Sequence, residues 1–193
     1  MRKACTGIAL AAFLASACAT VEVRTEQRRI AIATDAFLVL PQAGALTDSI
    51  NATQVIVAEY EDHSYSFEAL VEARPGRITI AALNSFGGTL FSITFDGHEL
   101  LTTGTVETQT INSEYVLADV LLTHWDPAWL NQRLEGASIE VAEDGKGRFV
   151  SRGNELIIGI TYESENPWGG TAQLTHMERG YVLQIKTAEF ERQ

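Results

Sequence analysis

Cysteine is almost missing from this 193-residue chain: Cys5 and Cys18 are its whole complement, and both fall within the first twenty residues. A disulfide-stapled fold is thereby excluded. No apolar run approaches the roughly 20 residues that a membrane-spanning helix needs. Basic residues are scarce, 14 against 25 acidic, for a net charge of −11. Nucleic-acid binding requires a basic patch that displaces counterions, and none exists beyond Arg24, Arg28 and Arg29. The same negative charge disfavours electrostatic adhesion to anionic lipid. Signatures of chemistry are missing too. His63, His98, His124 and His176 are scattered without zinc spacing, and there is no Gly-x-Ser-x-Gly elbow, P-loop or dinucleotide fingerprint. The carboxylate pairs Glu61-Asp62, Glu143-Asp144 and Glu163-x-Glu165 fall in turn segments, where they serve solubility. Acid–base work would need them in a cleft with shifted pKa values. No catalytic residue, metal or cofactor is expected, and the chain reads as a non-enzyme. It has no internal repeat.

What is present begins with Arg2 and Lys3, followed by the apolar segment Ala4 to Leu14 and the small residues Ala15, Ser16 and Ala17. That order is the order of a secretory signal. Leu14-Ala15-Ser16-Ala17-Cys18 resembles the lipobox of bacterial lipoproteins, with Ala15 where leucine is usual. The resemblance implies cleavage before Cys18 and acylation of its thiol and new amino terminus. The alternative is an ordinary signal cleaved near Ala17 with an incidental cysteine. Two or more acyl chains, at about 0.8 kcal/mol per buried methylene, give stable anchoring. Ala19 stands where aspartate commonly retains such proteins on the inner membrane, which implies the periplasmic face of the outer membrane. Loss of Arg2 and Lys3 leaves 12 basic against 25 acidic residues, a net charge of −13. The expected organisation is a signal over 1–17, a lipidated tether over 18–34 in which a helix begins near Gln27, and one domain over 35–193.

From Thr53 onward the sequence alternates in steps of two, the mark of strands with one buried face. Tyr65, Phe67, Ala69 and Val71 form one such set; Ile78, Ile80 and Ala82 form another; Phe91, Ile93 and Phe95 a third, before an Asp96-Gly97 turn. Ser113 is placed to cap a helix running to about Trp125 with Leu117 and Leu121 on its stripe, and Asp126-Pro127 opens a second through Leu134. Trp125 and Trp129 are core or lid residues on this reading. Strands resume at Ser138 and continue to Phe190. Nine or ten strands with two or three short helices must curl, pair with another sheet, or enclose a ligand. A solid interior and a hollow one both satisfy the pattern.

Asn84-Ser85-Phe86-Gly87-Gly88-Thr89 resembles the Asn-Pro-Leu-Gly-Ser-Thr loop of the LolB family, outer-membrane lipoproteins that receive lipoproteins from LolA carriers. The wider pattern, from Leu38-Val39-Leu40-Pro41 through Phe91-x-Ile93-x-Phe95-Asp96-Gly97 to Leu117-Ala118-Asp119-Val120-Leu121-Leu122-x-x-Trp125, is similar to an uncharacterised family of proteobacterial lipoproteins. Those are encoded beside aryl-polyene lipid enzymes, LolA-like carriers and exporters. The resemblance implies a mainly β fold, a curved antiparallel half-barrel with two or three covering helices over an apolar cavity. It places Ser85, Phe86 and Gly87 in a membrane-contact loop, with Phe86 in the position of an exposed leucine. Phe67, Ile80, Phe91, Ile93, Phe95, Leu121 and Trp125 become candidates for the cavity lining. The partners implied are lipid or lipoprotein acyl chains, palmitate or polyene among them, the outer membrane through Cys18, and a LolA-like carrier or exporter. Two alternatives stay open: Phe86 folding back onto its own sheet, and a filled, non-carrier accessory that recruits an envelope partner.

Overall fold

The alternating segments form strands in the computed structural model, which describes residues 27–104 and 112–192. The signal segment, Cys18 and the first part of the tether lie outside the described residues. β1 (Arg29–Ala33) and β2 (Ala36–Val39) are followed by one turn of 3-10 helix at Ala43–Ala45. Five strands come next: β3 (Ile50–Tyr60), β4 (His63–Arg74), β5 (Arg77–Leu83), β6 (Thr89–Phe95) and β7 (Leu100–Gly104). After α1 (Ser113–His124) and α2 (Pro127–Asn131) come β8 (Leu134–Glu135), β9 (Ser138–Val141), β10 (Gly147–Arg152), β11 (Glu155–Tyr162), β12 (Thr171–His176) and β13 (Tyr181–Arg192).

Ten strands make one antiparallel sheet in the order β7-β6-β5-β4-β3-β13-β12-β11-β10-β9. The first and last strands of this sheet in chain order meet at its centre, where β13 pairs with β3 from Tyr181↔Tyr60 to Arg192↔Ile50. Register carries apolar rows across the strands. One runs Ala52, Val71, Ile80, Ile93; another runs Ile50, Ala73, Ile78, Phe95, Leu100. On the other half, Leu183, Leu174 and Ile160 align, as do His176, Ile158, Val150 and Ile139. Buried residues from both ends of the sheet belong to a single cluster, so the sheet curls around one core. The fold is mainly β, an open curved antiparallel sheet with few covering helices.

Across that concave side lies a second, three-stranded sheet, β1-β2-β8. Its place corrects the reading of residues up to 34 as tether with a helix near Gln27. Residues 29–33 are strand, with Ile30 and Ile32 fully buried. The alternation Ile30-x-Ile32 covers too few residues to declare a period, and the turn rests on Asp35 in the left-handed region (φ 55°), which aspartate tolerates. Long-range contacts fix the hairpin: His176 Nε2 donates to Ile32 O (2.9 Å), and Thr34 N and Oγ1 donate to Glu178 Oε1 (2.8 and 2.9 Å).

The helices begin as their caps dictate. Asn112, one residue before the expected Ser113, accepts from the backbone N–H groups of Glu114 (3.0 Å) and Tyr115 (3.3 Å). Asp126 accepts from Trp129 N (2.8 Å) with Pro127 at the first helical position, as its sequence implies. α2 then closes a sheet edge: the Asn131 amide donates to Ile139 O and accepts from Ile139 N, both at 2.8 Å. An edge strand so occupied offers no free backbone at Ile139 for pairing.

Candidate functional site

Six of the seven candidate lining residues, Ile80, Phe91, Ile93, Phe95, Leu121 and Trp125, lie buried between the sheet and its roof; Phe67 is half-buried against them. They are brought together, but around side chains rather than space. Ile93 and Phe95 are 1% exposed and Leu121 is 0% exposed. A side chain beside a void that admits water would show surface to it, so the interior here is close-packed. The filled alternative describes this conformation. The occupants are the apolar faces of α1 and of the β1–β2 hairpin: Leu117, Leu121, Leu122, Ile30, Ile32 and Leu38.

Polar contacts fasten α1 to the sheet, chiefly at its C-terminal end. Arg148 Nη1 donates to Leu122 O (3.0 Å) and Trp125 O (2.7 Å), and Tyr162 Oη donates to Thr123 O (2.7 Å). A cation on the last helical carbonyls also answers the helix dipole. His124 is fully buried, and that burial pulls its pKa down to about 3, so the ring is neutral. Its Nδ1 lies 2.9 Å from Pro167 O, which makes Nδ1 the donor and leaves Nε2 to accept from Gln54 Nε2 (3.1 Å). The ring stacks on Trp168 (4.0 Å), which meets Trp125 edge-on (5.8 Å) and stacks on Phe190 (5.3 Å). Trp125 is thus a core residue, and Trp129 lies under Arg133 (3.8 Å). Farther along α1, the Tyr181 hydroxyl donates to both oxygens of Asp119 (2.8 and 3.0 Å). Burial raises the Asp119 pKa to about 7 against the Tyr181 hydrogen bond and the nearby Arg179 charge.

Phe86 does not fold back. It is 95% exposed at the tip of the β5–β6 turn. Asn84 builds the turn: Oδ1 accepts from Phe86 N (3.0 Å) and Gly88 N (2.9 Å), and Asn84 O accepts from Gly87 N (2.9 Å). Gly87 takes a left-handed conformation (φ 76°) that Ser85 or Phe86 would resist. Antiparallel order puts the β3–β4 turn at the same end of the sheet, where Tyr60 and Tyr65 are exposed. The alternation counted Tyr65 with the apolar face of its strand, but the chain leaves it exposed here; neither tyrosine was read as a contact residue, and an aromatic on each side of the Glu61-Asp62 turn was the signal available.

At the opposite end a cleft of about 490 Å3 opens beside the C-terminus of α1, lined by Arg148, Tyr162, Glu143, Asp144, Glu165 and Pro167 among others. Sequence reasoning missed Arg148. Its signal was a charge in the buried phase of a strand, two residues before Val150. No helix among the described residues is long and apolar enough to cross a membrane, and no group of metal ligands forms among them.

Three solved structures resemble this one in part. A LolA superfamily protein from Nitrosomonas europaea has TM-score 0.39 and 10% identity, covering 77% of this chain and 89% of its own. A candidate outer membrane lipoprotein-sorting domain from Vibrio parahaemolyticus has TM-score 0.41 and 12% identity, covering 77% and 86%. A DUF1329 family protein from Desulfovibrio piger has TM-score 0.36 and 11% identity, covering 77% and 87%. No curated protein matches the chain. A family model described as "Protein of unknown function (DUF3261)" matches residues 51–189, from the start of β3 nearly to the end of β13, and the chain therefore belongs to the DUF3261 family.

Proposed function

We propose that the protein is an outer-membrane-anchored lipoprotein that takes acyl or polyene chains between its curved sheet and the roof above it, and hands them to the membrane. The observation that carries this reading is Phe86. A phenylalanine held 95% exposed on a hydrogen-bonded turn leaves about 1.5–3 kcal/mol of burial unrealised until it meets an apolar phase. A bilayer supplies that phase, and lipid on Cys18 keeps the bilayer close. The wide apolar concave face gives a hydrocarbon chain a continuous surface. Because the interior is filled, loading requires α1 and the β1–β2 hairpin to yield to the chain. Transfer then needs only that the bilayer be the better sink, at about 0.8 kcal/mol per methylene withdrawn from water. No chemical step is involved, and a LolA-like carrier or an exporter would supply the cargo.

The experiment is organic extraction and mass spectrometry of the purified full-length Cys18→Ala chain after exposure to envelope lipids. Retained lipid in stoichiometric amount supports the reading; a chain that neither carries nor accepts lipid overturns it. The filled interior favours a second reading, a structural accessory that recruits an envelope partner through its surface. In that case Phe86→Glu leaves membrane delivery intact, while substitutions on the exposed face of residues 113–134 abolish partner capture.

A further inference from the structure

The cleft at the far end of the sheet has a buried cation at its base and carboxylates at its rim. Arg148 aligns with Ile160 and Leu174 in the concave-facing row, and only 6% of it is exposed. Its Nη1 is spent on the two carbonyls at the end of α1, and among the described residues it forms no ion pair. A guanidinium withdrawn from water is costly, and the charge of Asp126, near but not paired with it, offsets that cost only in part. Its Nη2 and Nε hold no protein partner, yet neither is sealed away from solvent, so they face the cleft that Arg148 lines. Across the opening stand Glu143, Asp144 and Glu165, all exposed. The volume of about 490 Å3 falls within the roughly 300–1,000 Å3 of small-ligand sites.

Each simple ligand meets an objection. An anion alone reaches Arg148 past three carboxylates, and an organic cation alone is repelled by the guanidinium. The carboxylates do not gather closely enough to hold a metal ion among the described residues. A zwitterion satisfies both ends: its anion takes the free edge of the guanidinium, which suits phosphate oxygens in bidentate fashion, and its ammonium lies toward the rim.

We propose that this cleft binds a phosphoethanolamine group, with phosphate on Arg148 and ammonium toward Glu143 and Glu165, and that the group belongs to a phospholipid. The assignment to lipid rests on the proposed lipid-handling role and on position, since the cleft adjoins the end of α1 that roofs the apolar interior. The charge pattern itself does not depend on that role.

The test is calorimetric titration of the full-length Cys18→Ala chain with four probes. These are glycerophosphoethanolamine, glycerophosphoglycerol, ethanolamine, and dihexanoyl phosphatidylethanolamine below its micelle concentration. The expected result is saturable binding of glycerophosphoethanolamine at least tenfold tighter than either singly charged probe. The double variant Glu143→Gln, Glu165→Gln is expected to lose that preference while keeping its melting temperature; Arg148→Met is expected to abolish binding. Because Arg148 also holds α1, the double variant is the arm that decides if Arg148→Met fails to fold. No saturable binding by the folded wild-type chain, or an undiminished preference in the double variant, overturns the site. Tighter binding of the lipid than of the free headgroup supports the lipid source. Equal affinity keeps the zwitterion site and overturns its assignment to lipid, which separates this inference from the carrier reading.

Discussion

Two glycines show how much a single Cβ can decide. Gly97 and Gly153 both adopt left-handed conformations (φ 88° and 57°) at hairpin turns. A Cβ at Gly153 meets open space, whereas one at Gly97 collides with the backbone of Ala43. Gly153→Ala is expected to cost about 1–2 kcal/mol, the left-handed penalty alone. Gly97→Ala should cost on the order of 3 kcal/mol or more, because backbone must move as well; urea midpoints of the two variants measure the difference. The Asp96-Gly97 turn was legible in the sequence, and Asp96 does accept from His98 N (3.0 Å) and Glu99 N (2.8 Å). That the 3-10 turn at 43–45 packs on it was not legible, because a contact between residues 54 positions apart leaves no trace in a local pattern. Phe86 is the converse case. Its exposure means that Phe86→Ser should leave stability within about 0.5 kcal/mol while weakening liposome association of the Cys18→Ala chain roughly tenfold or more, the worth of a buried phenyl group. Flotation in a density gradient reads that loss, and unchanged flotation would remove Phe86 from any membrane role.

At the scale of the element, α1 combines an apolar stripe that sequence could read with a polar one that it could not. Leu117, Leu121 and Trp125 face the core as their spacing implies. Asp119 and Thr123 are buried as well, although spacing alone assigns them to solvent, and His124, which spacing puts on the core stripe, is buried despite its titratable ring. Their burial is possible because partners arrive from distant strands: Tyr181 for Asp119, Gln54 for His124, and Tyr162 for the Thr123 carbonyl. The Thr123 hydroxyl lacks such a partner. Thr123→Val keeps the branched shape and removes an unsatisfied group, so it is expected to stabilise the chain by about 1 kcal/mol; a fall in the urea midpoint would contradict the burial of that hydroxyl. Asp119 gives α1 a pH dependence. Its carboxyl has a pKa of about 7 in the fold against about 3.9 when unfolded, so the folded state holds the extra proton between those values. Stability from this group is present at low pH and is lost as pH rises through about 7. Relative to wild type, Asp119→Asn should therefore fare better at pH 8 than at pH 5, with urea unfolding at both values as the measurement.

Across the whole molecule the opposite dependence dominates below neutrality. His124 and His176 are held neutral, with pKa values of about 3 and about 4, by desolvation on burial. Unfolding frees both to bind protons below about 6.5, so stability falls as pH drops from about 6.5 toward 4. Two histidines outweigh one aspartate in that window, and the stability maximum is expected near pH 6.5–7. The larger architecture was legible in its repeating parts: the meander from β3 to β6, the turn after β6, the helix pair and the return of strands. Less legible was the roof. The strands β1, β2 and β8 have five, four and two residues, too short for alternation to register, yet β1 and β2 send Ile30, Ile32, Ala36 and Leu38 into the interior. Periodicity showed which faces are apolar and could not show whether they meet side chains or space.

The carrier role requires that hydrocarbon replace the roof on the concave face. Photolabelling of the full-length Cys18→Ala chain with a diazirine-bearing palmitate, followed by peptide mapping, tests it most directly. Labels are expected on concave-face residues such as Phe91, Ile93 and Leu121, which are buried in the closed form. Labels confined to the Phe86 turn and the outer surface, with none on those residues, would contradict it.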